Sequence, residues 1–139
     1  MKKLFVFAFV SLSMLSSCSS DDSVNVSEEK LTKKWYYKSY QVNGQIYPFE
    51  HMSCGKDYME LLANGTYIEY YVNSCNPIDD GISSGNWVLE GNTLAIAIGD
   101  GFEGGKITKL TDTELHVTAT KDFDDDGDTE KVKYTFTNN

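Results

Sequence analysis

Three groups of residues in this chain have types and spacings suited to chemistry. The first is Asp122, Asp124, Asp126 and Asp128, which alternate within a run of six carboxylates between Asp122 and Glu130. With Gly127 they reproduce Asp-x-Asp-x-Asp-Gly, the opening half of a calcium-binding loop. The twelfth position of such a loop needs a bidentate glutamate, and Lys133 stands there. The run therefore points at most to a weak calcium site of the millimolar, extracellular class. The competing reading is a solvated hairpin tip whose charge keeps the chain soluble. No other cofactor is expected. The second group is Cys54 and Cys75, which suit a disulfide or, with His51, part of a metal site. The third is the pair of histidines, His51 and His116. Neither sits in a Gly-x-Ser-x-Gly or His-Glu-x-x-His pattern, and nothing sets a positioned base beside a nucleophile, so an enzyme is not expected.

The elements that must position these residues begin after an address segment. Lys2 and Lys3 precede an apolar run from Leu4 to Val10 that is too short to cross a bilayer, and small residues then lead to Cys18. Residues 1–17 read as a signal peptide. Leu15-Ser16-Ser17-Cys18 resembles the bacterial lipobox, which implies cleavage before Cys18, lipidation of its thiol and attachment to a membrane through that lipid. Residues 18–30 read as the lipidated cysteine and a disordered acidic tether, because they are polar and lack periodicity. Ser19-Ser20-Asp21-Asp22 resembles the acidic export signal of surface lipoproteins in Bacteroidetes. That implies an outer-membrane lipoprotein exposed at the cell surface, the periplasmic face being the alternative.

Residues 31–139 remain as one domain. Loss of residues 1–17 removes Lys2 and Lys3 and no acid, so the net charge goes from −9 to −11. All basic residues are lysines. Nucleic acid binding needs cationic phosphate contacts, so it is excluded on charge. The composition, rich in tyrosine, threonine and Asn-Gly turns, favours strands over helices. A signal-bearing chain folds in an oxidising compartment, so Cys54 and Cys75 are expected as a disulfide closing the hairpin between them.

Strands are read over residues 34–42 and 45–47, separated by Asn43-Gly44, and over residues 57–63 and 66–72, separated by Asn64-Gly65. If Asn64-Gly65 is a two-residue turn, Met59 faces Tyr70 and Leu61 faces Ile68 on an apolar inner face. Glu60 then faces Glu69 on the solvent side. Further strands follow over residues 85–89, 93–98, 106–110, 114–121 and 131–136, with residues 99–104 as a glycine-rich loop. Short sequential strands of this number close into an eight-stranded antiparallel up-and-down barrel, because closure removes exposed edges.

The order Leu31, Trp35, Cys54, Leu61-Leu62-Ala63-Asn64-Gly65-Thr66-Tyr67, Cys75, Gly85-Asn86-Trp87, Glu90-Gly91-Asn92-Thr93-Leu94 and Ile107 to Leu115 resembles the lipocalin-like domain of Bacteroidetes lipoproteins. The resemblance covers about residues 31–137 and implies an all-β barrel with a cysteine pair. The expected role is a lipid-anchored binding protein for a small apolar or amphipathic ligand. Trp35, Leu61, Ile68, Tyr70, Trp87, Ile96, Val117 and Phe136 are the expected cavity lining. The alternative is a filled barrel that contacts another envelope protein or a glycan through surface tyrosines, Tyr36, Tyr40, Tyr58 and Tyr71. The sequence names no protein partner.

Overall fold

A computed structural model describes residues 24–98 and 101–139. The signal peptide, Cys18 and the tether as far as residue 23 lie outside the described residues. One helical turn, α1 (Glu28–Leu31), precedes nine strands: β1 (Lys34–Val42), β2 (Gln45–Pro48), β3 (Tyr58–Leu61), β4 (Thr66–Tyr71), β5 (Gly81–Glu90), β6 (Thr93–Ile98), β7 (Gly101–Leu110), β8 (Glu114–Lys121) and β9 (Glu130–Thr137). Consecutive strands from β3 to β9 pair antiparallel, and β1 pairs with both β3 and β9. Eight strands thus close an antiparallel barrel, as the residue pattern indicates. β2 stands outside the ring. It pairs with Ser39–Val42 of β1, on the edge whose other end pairs with β3.

The two Asn-Gly turns behave differently, and the difference sets the interior. At Asn43-Gly44 both residues have positive φ, 51° and 80°. That is the two-residue turn expected of this dipeptide, and Val42 pairs directly with Gln45. At Asn64-Gly65 only Gly65 enters the left-handed region, at 81°. The Gly65 N–H donates to the Leu62 carbonyl, and the Leu62 N–H donates to the Thr66 carbonyl. This is a three-residue loop built from a turn and a left-handed glycine. The expected register is therefore corrected by one residue: Met59 lies opposite Glu69, Leu61 opposite Tyr67 and Tyr58 opposite Tyr70. A one-residue slip turns every side chain of one strand to the other face. Tyr67 and Glu69 point inward, while Ile68 and Tyr70 point outward.

The end of the barrel holding the β3–β4, β5–β6 and β7–β8 turns is filled. Trp35, Leu61, Trp87, Ile107, Leu110 and Leu115 are buried there together with Leu31. α1 closes it from below, with the Trp35 indole N–H donating to the Leu31 carbonyl at 2.9 Å. The Trp87 indole donates to the Leu62 carbonyl at 2.9 Å. Val24 and Val26 pack on the same cluster. The reading of residues 18–30 as a disordered tether is thus corrected for residues 24–30. Two valines and one helical turn find an apolar surface there, which composition alone did not signal.

Two features hold the barrel from outside. At the other end, Cys54 and Cys75 form a disulfide with Cα atoms 5.5 Å apart, beyond the last paired residues of β3 and β4. It ties the β2–β3 connection to the β4–β5 connection. Closing a loop of this size contributes about 3 kcal/mol. With both thiols consumed, His51 has no thiolate partner for a metal. Its Nε2 donates to the Tyr37 carbonyl at 2.6 Å and its Nδ1 accepts the Asp57 N–H at 3.2 Å.

Near the filled end, Glu114 gathers Lys109, with Lys38 and His116 each at 3.5 Å. The hydrogen bond from Lys109 is the largest cause holding the Glu114 carboxyl down, from 4.5 to about 2. Its folded value lies below its unfolded value. Its stabilisation is therefore complete above about pH 4.5 and is lost as pH falls toward 2. Burial lowers His116 as well, which also disfavours acid. Replacing Glu114 with Gln should cost up to about 1 kcal/mol at neutral pH, the scale of exposed ion pairs. The deficit should shrink to nothing by about pH 2 in thermal melts followed across pH. A deficit independent of pH would mean that the carboxylate charge is not what stabilises.

Candidate ligand cavity

Above the filled end the barrel is hollow. A cavity of about 130 Å³ opens toward the end that carries the disulfide and the acidic β8–β9 connection. Met59, Leu94, Ile96, Val117, Ala119 and Phe136 supply apolar walls, and Tyr37, Tyr67 and Tyr134 supply aromatic ones. Two carboxylates, Glu69 and Glu103, are part of the lining. The strands explain the composition. Along β8, Leu115, Val117 and Ala119 share the inner face, opposite Phe136, Tyr134 and Val132 of β9. These side chains shrink from leucine to alanine toward the opening, so the space widens. In β1 a bulge between Tyr37 and Ser39 keeps Tyr37 and Tyr40 both opposite inner-face residues, Phe136 and Tyr134.

β7 contributes by what it lacks. Residues expected as a glycine-rich loop are strand from Gly101 onward, and that reading is corrected. A Cβ on Gly105 would lie 2.6 Å from the Thr118 carbonyl oxygen and 2.7 Å from a Val117 methyl. Glycine therefore lets β7 approach β8 closely and leaves the cavity unobstructed on that side.

Glu69 is the unusual member. It is only 8 % exposed and lies on the inner face of β4. The hydroxyls of Tyr37 and Tyr67 donate to its two carboxylate oxygens, one to each. Burial, reinforced by the Glu69 charge and its hydrogen bonds, raises the Tyr37, Tyr67 and Tyr71 phenols well above the ordinary range. These hydroxyls stay protonated and serve as donors, not as bases. Among the described residues no lysine or histidine forms a salt bridge with Glu69. A buried acid satisfied only by neutral donors retains a strong preference for a positive neighbour.

The residues expected to line the cavity separate into three sets. Ile96, Val117 and Phe136 do line it. Trp35, Leu61 and Trp87 lie in the packed end. Ile68 and Tyr70 lie outside the barrel because of the β4 register. Tyr70 stacks on Tyr58 with ring centres 5.2 Å apart, and Tyr58 meets Tyr36 edge-on at 5.9 Å. Lys34 lies over the Tyr58 ring, and a groove beside the disulfide runs along these rings. Tyr71, expected on that outer face, turns inward with Glu69. The expected lining omits Tyr37, Tyr67, Glu69, Leu94, Glu103, Ala119 and Tyr134, and also Met59, although Met59 is read there as inward-facing. The signal for Tyr67 and Glu69 is the alternation Tyr67-x-Glu69-x-Tyr71, in a register that differs by one residue from the expected one with Glu69 on the solvent side.

The acidic connection also rearranges the expected ligand set. Asp122, Asp124 and Glu130 bring carboxylate oxygens within 4.8 Å of one another. Asp126 instead accepts the Asp128 N–H at 2.8 Å, so these two are not in that group. One Asp122 oxygen accepts the Gly127 N–H and the other is buried without a partner. Three carboxylates at this spacing suit a hard divalent cation, with the weak affinity of an exposed loop.

Residues 31–117 match the family model described as the lipocalin-like domain. A crystal structure of a lipocalin-like protein from Bacteroides uniformis superposes with a TM-score of 0.59 at 14 % identity, over 79 % of this chain and 99 % of that one. The crystal structure of an uncharacterized protein from Bacteroides eggerthii gives 0.59 at 14 %, over 78 % and 99 %. At such identity the likeness is one of fold. No curated protein sequence matches this chain.

Proposed function

The chain belongs to the lipocalin-like domain family, and from that premise we propose that it is a non-catalytic binding protein that takes one small, largely apolar molecule into its barrel. The observation that carries this reading is the cavity between the filled end and the disulfide-clamped mouth, with its apolar and aromatic lining. A cavity of this size holds about one benzene ring, since an engineered apolar cavity of about 150 Å³ does so. The lipobox at Cys18 and the acidic residues after it support tethering of the barrel at the outer membrane, facing the cell exterior. Such a protein would hold a small molecule at the envelope for delivery or sequestration.

The experiment is a chemical-shift titration of the chain from Ser19 onward, which carries every strand and the whole core, with benzyl alcohol. Saturable shifts at Val117, Ala119 and Phe136 support the reading. Shifts absent from the lining and confined to the outer face contradict it. The tyrosine ladder Tyr36–Tyr58–Tyr70 favours a second reading, contact of that face with a glycan or another envelope protein. Under it, Tyr58→Ala abolishes binding of that partner while leaving the cavity untouched.

A further inference from the structure

We infer that the molecule held in the barrel is cationic at one end: a small aromatic or aliphatic amine whose ammonium group meets the Glu69 carboxylate. The inference rests on the binding reading above and specifies its ligand class. Three observations converge on it. First, Glu69 is more than nine-tenths buried in the wall of a cavity that is otherwise apolar, and its described partners are neutral phenols. A carboxylate has about four lone-pair sites, so the hydrogen bonds from Tyr37 and Tyr67, with Tyr71 as a third donor, still leave acceptor capacity free. Second, Tyr37, Tyr67, Tyr134 and Phe136 surround the same space. Aromatic faces attract an ammonium group through their quadrupole and do not attract a carboxylate. Third, the route in is acidic. Glu103 lies on the lining, and Asp122, Asp124 and Glu130 gather on the connection at the mouth. Fields of one sign at a cleft concentrate ligands of the opposite sign. The nearby lysine, Lys121, lies 5.9 Å from the Tyr134 ring and sits across the ladder from Glu130.

The chemistry disfavours an anionic group at this position. An anionic ligand, such as a fatty acid, would bring a second carboxylate beside Glu69 without a cation between them. A neutral apolar ligand would fill the walls but leave the buried acid as it stands.

The test uses three probes of one size on the chain from Ser19 onward, by calorimetry or chemical-shift titration. Benzylamine carries the cation, benzyl alcohol is its neutral counterpart and benzoate is the anion. Benzylamine should bind roughly tenfold or more tightly than benzyl alcohol, the worth of a charge-assisted hydrogen bond in a dry site, and benzoate should bind least. Glu69→Gln should remove the preference for the amine over the alcohol. Glu90→Gln, which removes a charge at the end of β5 beside the β5–β6 turn of the filled end, should keep the preference. Equal affinity for amine and alcohol, or benzoate ranked first, overturns the inference while the binding reading survives. Loss of the preference in Glu90→Gln also overturns it, because the preference would then follow net charge and not the cavity. If no probe enters the cavity, the binding reading itself fails. The ranking in the unmodified chain decides the matter even if Glu69→Gln does not fold.

Discussion

Ala119→Phe should abolish binding of benzyl alcohol and benzylamine without lowering the melting temperature. Ala119 lies on the inner face of β8, opposite Val132 and two residues beyond Val117. The cavity holds about one ring. Phenylalanine at this position supplies that ring covalently, beside Tyr134 and Phe136. Burial of a phenyl group gains about 1.5–3 kcal/mol relative to exposure, and an imperfect fit costs about 1–3 kcal/mol. The two terms nearly offset, so stability should change little while the site is lost. The direction of the pair of effects is diagnostic, because a variant that merely misfolds loses both. Titration of each probe against the variant, with a thermal melt of the same sample, reads both quantities. Retained affinity in a folded variant would place the probe somewhere other than the barrel.

Trp35→Ala should cost about 3–5 kcal/mol, the range for a large aromatic removed from a packed core. Trp35 is fully buried, and its indole N–H satisfies the Leu31 carbonyl at the end of α1. The substitution leaves a void at the filled end and removes one of two donors to the Leu31 carbonyl, which keeps the Lys33 N–H at 2.8 Å. Domains of this size have about 5–15 kcal/mol in total, so the variant is expected to be largely unfolded at elevated temperature. Trp35→Phe separates the two contributions. It keeps most of the apolar volume and removes one donor to a carbonyl that retains the Lys33 N–H, for a cost of roughly 0.5–1.5 kcal/mol. Hydrogen exchange in this variant should rise first at Glu28–Leu31, whose attachment depends on that bond. Denaturant midpoints of the two variants check the magnitudes. A midpoint for Trp35→Phe equal to that of the unmodified chain would mean that the indole bond contributes nothing to closing this end.

The barrel was legible because its signals were redundant. Alternation at Leu115, Val117 and Ala119, and at Val132, Tyr134 and Phe136, assigns two strands and their inner faces from pattern alone. Asn43-Gly44 behaves as its dipeptide suggests. The cysteine pair was legible from compartment and spacing, although the bond lies beyond the ladder and not across it. The cavity was less legible, for a physical reason at one turn. Asn-Gly suits both a two-residue turn and a three-residue loop with a left-handed glycine. The apolar pattern favoured the first at Asn64-Gly65, because it buries Ile68 and Tyr70 and exposes Glu69. The chain adopts the second and buries an acid instead. Local rules fail where a site demands a buried polar group, so the misassigned register and the candidate ligand site coincide. Gly104 and Gly105 misled in a similar way. Glycines usually mark loops, but here they let two strands come together. Val24 and Val26 were too isolated in a polar segment to announce their packing.

The most direct measurement of the central claim is a set of isotope-filtered NOEs between bound benzylamine and the labelled chain. Contacts are expected from the ring to the methyl groups of Val117, Ala119 and Leu94, and from the methylene beside the amine to Glu69 and Tyr37. Contacts instead to Tyr36, Tyr58 and Tyr70 would place the ligand in the outer groove and contradict the assignment of the barrel interior as the binding site.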